Sequence, residues 1–173
     1  MAAFETLDWG NLDVFAILVG DGVATIEPSF AHRSLGWLRS HSYEIAPLDF
    51  SGGIGPIVAR LGELFQWEQQ FGYKLTPDDR NLARLNDGFW YEIPERGGLV
   101  LELRELEAAF AEDADWSAGF LRIISEHSRR QLALGRRFFA VAHVSSGESP
   151  IVGCSLGERS VPYPYPFPQR NDA

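Results

Sequence analysis

Cysteine is almost missing from this chain of 173 residues. The single thiol, Cys154, excludes an intramolecular disulfide and a cysteine-rich metal centre. Long apolar runs are missing too: the longest, Val14 to Val19, is far too short to cross a bilayer. The N-terminus, Met-Ala-Ala-Phe-Glu, has no basic stretch followed by an apolar segment and a cleavage site, so no leader is expected. Positive charge is in short supply, with 15 basic side chains against 24 acidic ones and a formal net charge of -9. Such a surface repels phosphate backbones, so nucleic acid is not an expected partner, whereas a basic protein is attracted. Solubility alone also accounts for an acidic balance. The expectation is a cytoplasmic chain that meets neither membrane nor nucleic acid.

Catalytic signatures are equally scarce. There is no Gly-x-x-x-x-Gly-Lys phosphate loop, no dinucleotide fingerprint behind a strand, no Gly-x-Ser-x-Gly elbow and no His-Glu-x-x-His. His32, His41, His127 and His143 are scattered at spacings that suit no common metal site, so neither a metal nor a cofactor is expected. His127 follows Glu126 directly, and neighbours on a helix point different ways, which favours a solitary histidine over a functional pair. Cys154 falls in a loose segment that offers a nucleophile no positioned base. The pattern points to binding, not to an enzyme.

What is present suffices for a core: 45% of the residues are hydrophobic, enough for one ordinary domain with decorated ends. Residues 1–40 read as an N-terminal extension. Asp13 to Val19 reads as a buried strand, Gly20-Asp21-Gly22 as a turn and Val23 to Ile26 as the hairpin partner. A short helix from Arg33 to Ser40 follows, with Leu35 and Leu38 on one side, and the extension is expected to add a strand at the sheet edge. Residues 41–145 read as the main unit, with strands over 42–50, 99–103 and 137–144. Between them, Ile57, Leu61, Leu64 and Phe65 recur at helical spacing, and residues 66–75 form an aromatic connection of open form. Thr76-Pro77-Asp78-Asp79 has the form of a helix start, with Leu82, Leu85 and Phe89 facing inward up to about Trp90. A longer amphipathic helix is expected from about Ser117 to Leu134. This order implies an α/β fold with a small, mainly parallel sheet packed with helices. Residues 146–173, with Pro162-Tyr-Pro-Tyr-Pro-Phe-Pro168, read as an extended, loosely attached tail.

Charge is segregated along this order. Between Asp78 and Asp115 stand 11 acidic residues and four arginines, a net of -7, whereas residues 116–139 carry a net of +4. On the expected helix, Asp79, Ala83, Asn86 and Asp87 form one stripe opposite the apolar face. That stripe suits a cationic partner, and equally the solvated side of an amphipathic helix.

Two stretches carry a likeness to a known family. Asn81-Leu-Ala-Arg-Leu-Asn-Asp87 is similar to a family helix of the form Asn-Leu-Asp-Ala-Leu-x-Asp. Leu99-Val-Leu-Glu-Leu-Arg-Glu-Leu106, with the helix through Phe120–Glu126 and the strand Phe138–Val144, is similar to its central strand, last helix and last strand in order. Over about residues 42–144 the chain thus resembles barstar, the intracellular inhibitor of barnase-type ribonucleases. The resemblance implies a three-stranded parallel sheet with helices around it, and a basic ribonuclease or related toxin as partner. It implies that an acidic helix and loop enter the basic site of the nuclease. On that basis Asn81, Leu82, Asp87 and Glu126 are the matching contacts, and Ala83 stands where the family's anchoring aspartate is usual. Asp78 and Asp79 lie one turn earlier as possible replacements, and Asn86 and Trp90 complete the expected face. The alternative is a non-inhibitory interaction module of the same fold with a different partner.

Overall fold

The computed structural model of the protein describes residues 11–89, 91–94, 96–145, 149, 151 and 161–162. Its strands are β1 (Val23–Ile26), β2 (Tyr43–Asp49), β3 (Gly98–Arg104), β4 (Phe138–His143) and the two-residue β5 (Val161–Pro162). All pair in parallel, in the order β2-β3-β4-β1-β5. The helices are α1 (Leu12–Val14), which runs into a π-helical turn (Phe15–Val19), then α2 (Pro28–Ser40), α3 (Ile54–Leu64), α4 (Trp67–Phe71), α5 (Leu82–Asp87), α6 (Leu106–Glu112) and α7 (Ala114–Ala133).

Alternation along the strands divides the interior in two. Leu99, Leu101 and Leu103 of β3, with Phe138, Ala140 and Ala142 of β4, point to the face covered by α3, α6 and α7. There they meet Ile54, Ile57, Val58 and Leu61, which recur at i, i+3, i+4 and i+7 along α3, and Phe120, Leu121 and Ile124 of α7. Each large side chain fully buried in this way contributes about 1.5–3 kcal/mol. The intervening residues Val100, Phe139 and Val141 turn to the other face and meet Leu12, Ala16, Ile17, Ala31, Leu35 and Leu38. Crossover handedness explains the division. The steps β2→β3→β4 proceed in one direction across the sheet, while β1→β2 returns in the other. A right-handed crossover that reverses direction lays its helix on the opposite face, which is where α2 packs.

Several sequence expectations are met closely. The three strands of the main unit occupy the expected positions, Leu35 and Leu38 are buried on α2, and α3 presents the expected apolar residues. Helix α7 begins three residues earlier than expected, because Asp113 Oδ1 accepts the Trp116 N–H at 2.9 Å and caps it.

Two expectations are corrected. The N-terminal segment is not a hairpin: residues 12–19 are helical, and Val23–Ile26 pairs in parallel with β4, inside the sheet. A six-residue apolar run has no periodicity that separates a buried strand from a buried helix. The turn that follows places Asp21 at φ 51° and Gly22 at φ 85°, and Gly22 N–H returns to Ala16 O at 2.8 Å, so the chain re-enters alongside β4. The second correction concerns the helix start at Pro77. Asp79 Oδ2 accepts both the backbone N–H and the hydroxyl of Thr76 at 2.8 Å, closing a turn over Thr76–Asp79. The helix begins only after Asn81, whose Oδ1 accepts the Arg84 N–H at 3.0 Å. Of the tail, Val161–Pro162 lies beside Ala24–Thr25, and proline at a sheet edge forfeits no ladder bond. Most of the Pro-aromatic run lies outside the described residues.

Candidate functional site

The short helix α5 is held against α7 by two close approaches. Leu82 packs on Gly119, where a Cβ would fall 2.4 Å from Leu82 Cδ1, so any larger residue obliges the leucine tip to shift. At the other end, Asn86 Oδ1 lies 3.2 Å from His127 Nε2 and accepts its proton. His127 is 8% exposed and its ring centroid lies 4.4 Å from that of Phe89. Burial, reinforced by the nearby Arg130 charge, pushes the imidazole down to about 4 despite Glu126, so it is neutral at pH 7. His127 is therefore a core histidine that fastens the end of α5. The same bond ties α5, which ends on the exposed Asp87, to α7, which carries Glu126.

The expected contact residues divide by what they already hold. Asn81 caps α5, Leu82 and Asn86 face α7, and Asp79 closes the Thr76 turn. The Thr76 N–H and hydroxyl hold the Asp79 carboxyl below its usual range, with Arg84 3.5 Å away. Glu126 pairs with Arg130 at 2.5 Å, both side chains being well exposed. Asp78, Ala83 and Asp87 are exposed. Asp79 stands outside the helix, so the expected four-residue helical stripe reduces to Ala83, Asn86 and Asp87. Trp90 lies outside the described residues.

Just behind this surface, Arg80 donates to Glu112 Oε1 at 2.5 Å, and Glu112 Oε2 accepts the Ile54 N–H at 2.8 Å. The Arg80 carbonyl accepts Trp116 Nε1–H at 3.1 Å. These bonds fix the loop before α5 to α3, α6 and α7, so the face is preformed.

Three further features of the structure carry no motif in the sequence. Glu102, 1% exposed on the central strand, is held by Arg104 Nε and Nη2 at 2.8 Å each, with His143 Nε2 at 3.3 Å. Its signal was the polar residue that breaks an otherwise apolar strand, Leu99-Val-Leu-Glu-Leu103. Asp13 accepts from the Tyr43 hydroxyl and, at 3.1 Å, from Arg137, which joins α1 to the starts of β2 and β4. Finally, a cavity of about 400 Å³ opens between α3, α4 and Leu75. Among the described residues, no group of three or more histidine, cysteine or acidic side chains is placed to hold a metal ion. Nor is any described helix long and apolar enough to cross a membrane.

Comparison of the chain with protein-family models, with characterised proteins and with solved structures found no match.

Proposed function

We propose that this protein binds a basic protein, a ribonuclease toxin, through the Thr76–Arg80 turn, α5 and Glu126. The reading treats β2–β4 with α3–α7 as a barstar-like unit to which β1, α2 and the N-terminal helical turns add a second layer. One observation carries it: the Asn86–His127 bond joins α5, which ends on the exposed Asp87, to α7, which carries the exposed Glu126, and Asp79 is tied into the turn just before α5. Carboxylates on a preformed face steer a cationic partner and stand where its phosphate ligands would. The acidic groups of this face are exposed or paired with exposed arginines, so they are available for exchange.

The test is titration calorimetry against a barnase-type ribonuclease, with inhibition of RNA cleavage read in parallel. Asp87→Ala and Asp79→Ala are each expected to weaken the complex, and affinity to fall as salt rises. Full affinity in both variants sinks this face. The second reading, an interaction module that inhibits nothing, is favoured by Ala83 at the anchoring position. Tight but non-inhibitory binding decides for it.

A further inference from the structure

Resting on the reading that α5 and the turn before it meet a basic partner, we propose that this partner sets a carboxylate among its cations and that Arg84 receives it. The inward side of α5 is occupied: Leu85 is buried, Leu82 packs at Gly119 and Asn86 accepts from His127. At about 100° of turn per residue, the remaining positions Ala83, Arg84 and Asp87 form the outward crest, and all three are exposed. Arg84 and Asp87, three residues apart, are neighbours along that crest. The outermost part of the face therefore carries a cation beside an anion.

The Arg84 guanidinium holds little of the fold. Its side chain is 54% exposed, and its acidic contact among the described residues is Asp79, with Nη1 3.5 Å from Oδ1, wider than a good hydrogen bond. An exposed pair of this kind contributes little to stability. Asp79 is fixed without it, because Oδ2 accepts both the N–H and the hydroxyl of Thr76 at 2.8 Å. The backbone N–H of Arg84 is taken by the Asn81 cap, which leaves the side chain free to swing outward.

Docking on a basic surface changes the position of this side chain. Once Asp79 turns to a cation of the partner, Arg84 loses its counter-charge on the exposed crest of α5. A guanidinium pressed unpaired against other cations is doubly unfavourable, since the charges repel and lose their water together. An acid on the partner removes that penalty. The exchange is then reciprocal: the Arg84–Asp79 pair opens, Asp79 takes a partner cation and Arg84 takes a partner carboxylate. A carboxylate matches the planar fork of a guanidinium through two parallel N–H···O bonds, which fixes register as well as affinity. Arg84 thereby discriminates among basic proteins and rejects one whose contact surface is uniformly positive.

The test is calorimetry of the full chain with a barnase-type ribonuclease, with thermal unfolding of each variant as the control on folding. Arg84→Ala is expected to weaken the complex about tenfold, although it makes the face more acidic, and to keep its thermal midpoint near that of the parent. Arg84→Lys, which retains the charge and loses the fork, recovers only part of the loss. Replacing the acidic side chains of the nuclease one at a time by their amides is expected to find one substitution after which Arg84→Ala no longer matters. Affinity that rises or stays level in Arg84→Ala, while Asp87→Ala weakens the complex, overturns this proposal and leaves the acidic face standing. Amide substitutions that all leave the Arg84 effect intact overturn it as well. No complex with the parent chain, or full affinity in Asp79→Ala and Asp87→Ala alike, overturns the acidic-face reading and this proposal with it.

Discussion

Carboxylates at the N-terminal end of the sheet and carboxylates on the α5–α7 face carry the same charge into opposite situations. Asp13 and Asp21 are 2% and 7% exposed, and each has exchanged water for fixed donors. Asp13 takes the Tyr43 hydroxyl and Arg137, while Asp21 takes Ser125 Oγ at 2.6 Å and Arg129 at 2.8 Å. Asp87 and Glu126 keep much of their hydration and Asp79 is 24% exposed, while Arg84 beside Asp79 and Arg130 beside Glu126 are more than half exposed. A desolvated pair cannot release its partner without stranding a charge, whereas an exposed pair loses almost nothing by changing partners. Burial thus decides which acids belong to the fold and which are available for binding.

The hardest strain on this contrast is Asp13→Ala. It removes the buried acceptor of the Tyr43 hydroxyl and a carboxylate partner of Arg137 where α1 joins β2 and β4, and is expected to lower unfolding stability by about 3 kcal/mol. Urea denaturation with an unchanged slope measures this. A loss under half a kilocalorie would place Asp13 with the exposed acids after all. Burial also moves Tyr43 strongly upward, so its hydroxyl remains a donor to Asp13 throughout the accessible pH range.

His127 is the intermediate case, a buried polar group lying directly under the exposed face. Its imidazole is depressed to about 4 when folded, below its unfolded value near 6.5. Between those values the unfolded chain binds a proton that the folded chain refuses. Stability therefore falls as pH drops from about 6.5 toward 4, and this contribution is fully present above that window. The carboxyls held low by hydrogen bonds, Asp49, Asp79 and Glu112 among them, lose stability only at still lower pH. His127→Gln is expected to reduce the slope in the upper window, where His143, also held low by burial, still contributes, and to leave the acid limb. A parallel curve for the variant would remove His127 from the core.

How much of this was legible beforehand follows the length and regularity of each pattern. Strand β2 and helices α3 and α7 declare themselves by alternation or by helical spacing, because their burial is one-sided and repeats, whereas β3 and β4, buried on both faces, read as short apolar runs bounded by polar residues. The segment Val14–Val19 is apolar on every side, so its sequence is silent on strand against helix, and the layer it joins was misplaced. Thr76-Pro77-Asp78-Asp79 contains every residue a helix start needs, yet Asp79 returns to Thr76 and consumes the cap locally. In the candidate site, Asp87 and Glu126 were legible as charges. The docking of α5 on α7 was not, since it rests on Leu82 packing at Gly119 and on a bond between residues 41 apart in sequence.

The smallest expected effect is the most discriminating one. Asp87 is exposed and ends α5, where the helix dipole is negative and a carboxylate is out of place. Asp87→Ala should therefore leave stability unchanged or raise it by about 0.3–0.5 kcal/mol, while weakening the complex with a basic ribonuclease. A residue kept against the local preference of its helix, with no cost to the fold when removed, is what a binding role requires. Thermal unfolding and calorimetry on the same preparation read both quantities. If Asp87→Ala destabilises the chain by a kilocalorie or more, the α5–α7 face is held together by the very charges assigned to the partner. The contrast between its two sets of carboxylates would then collapse into one.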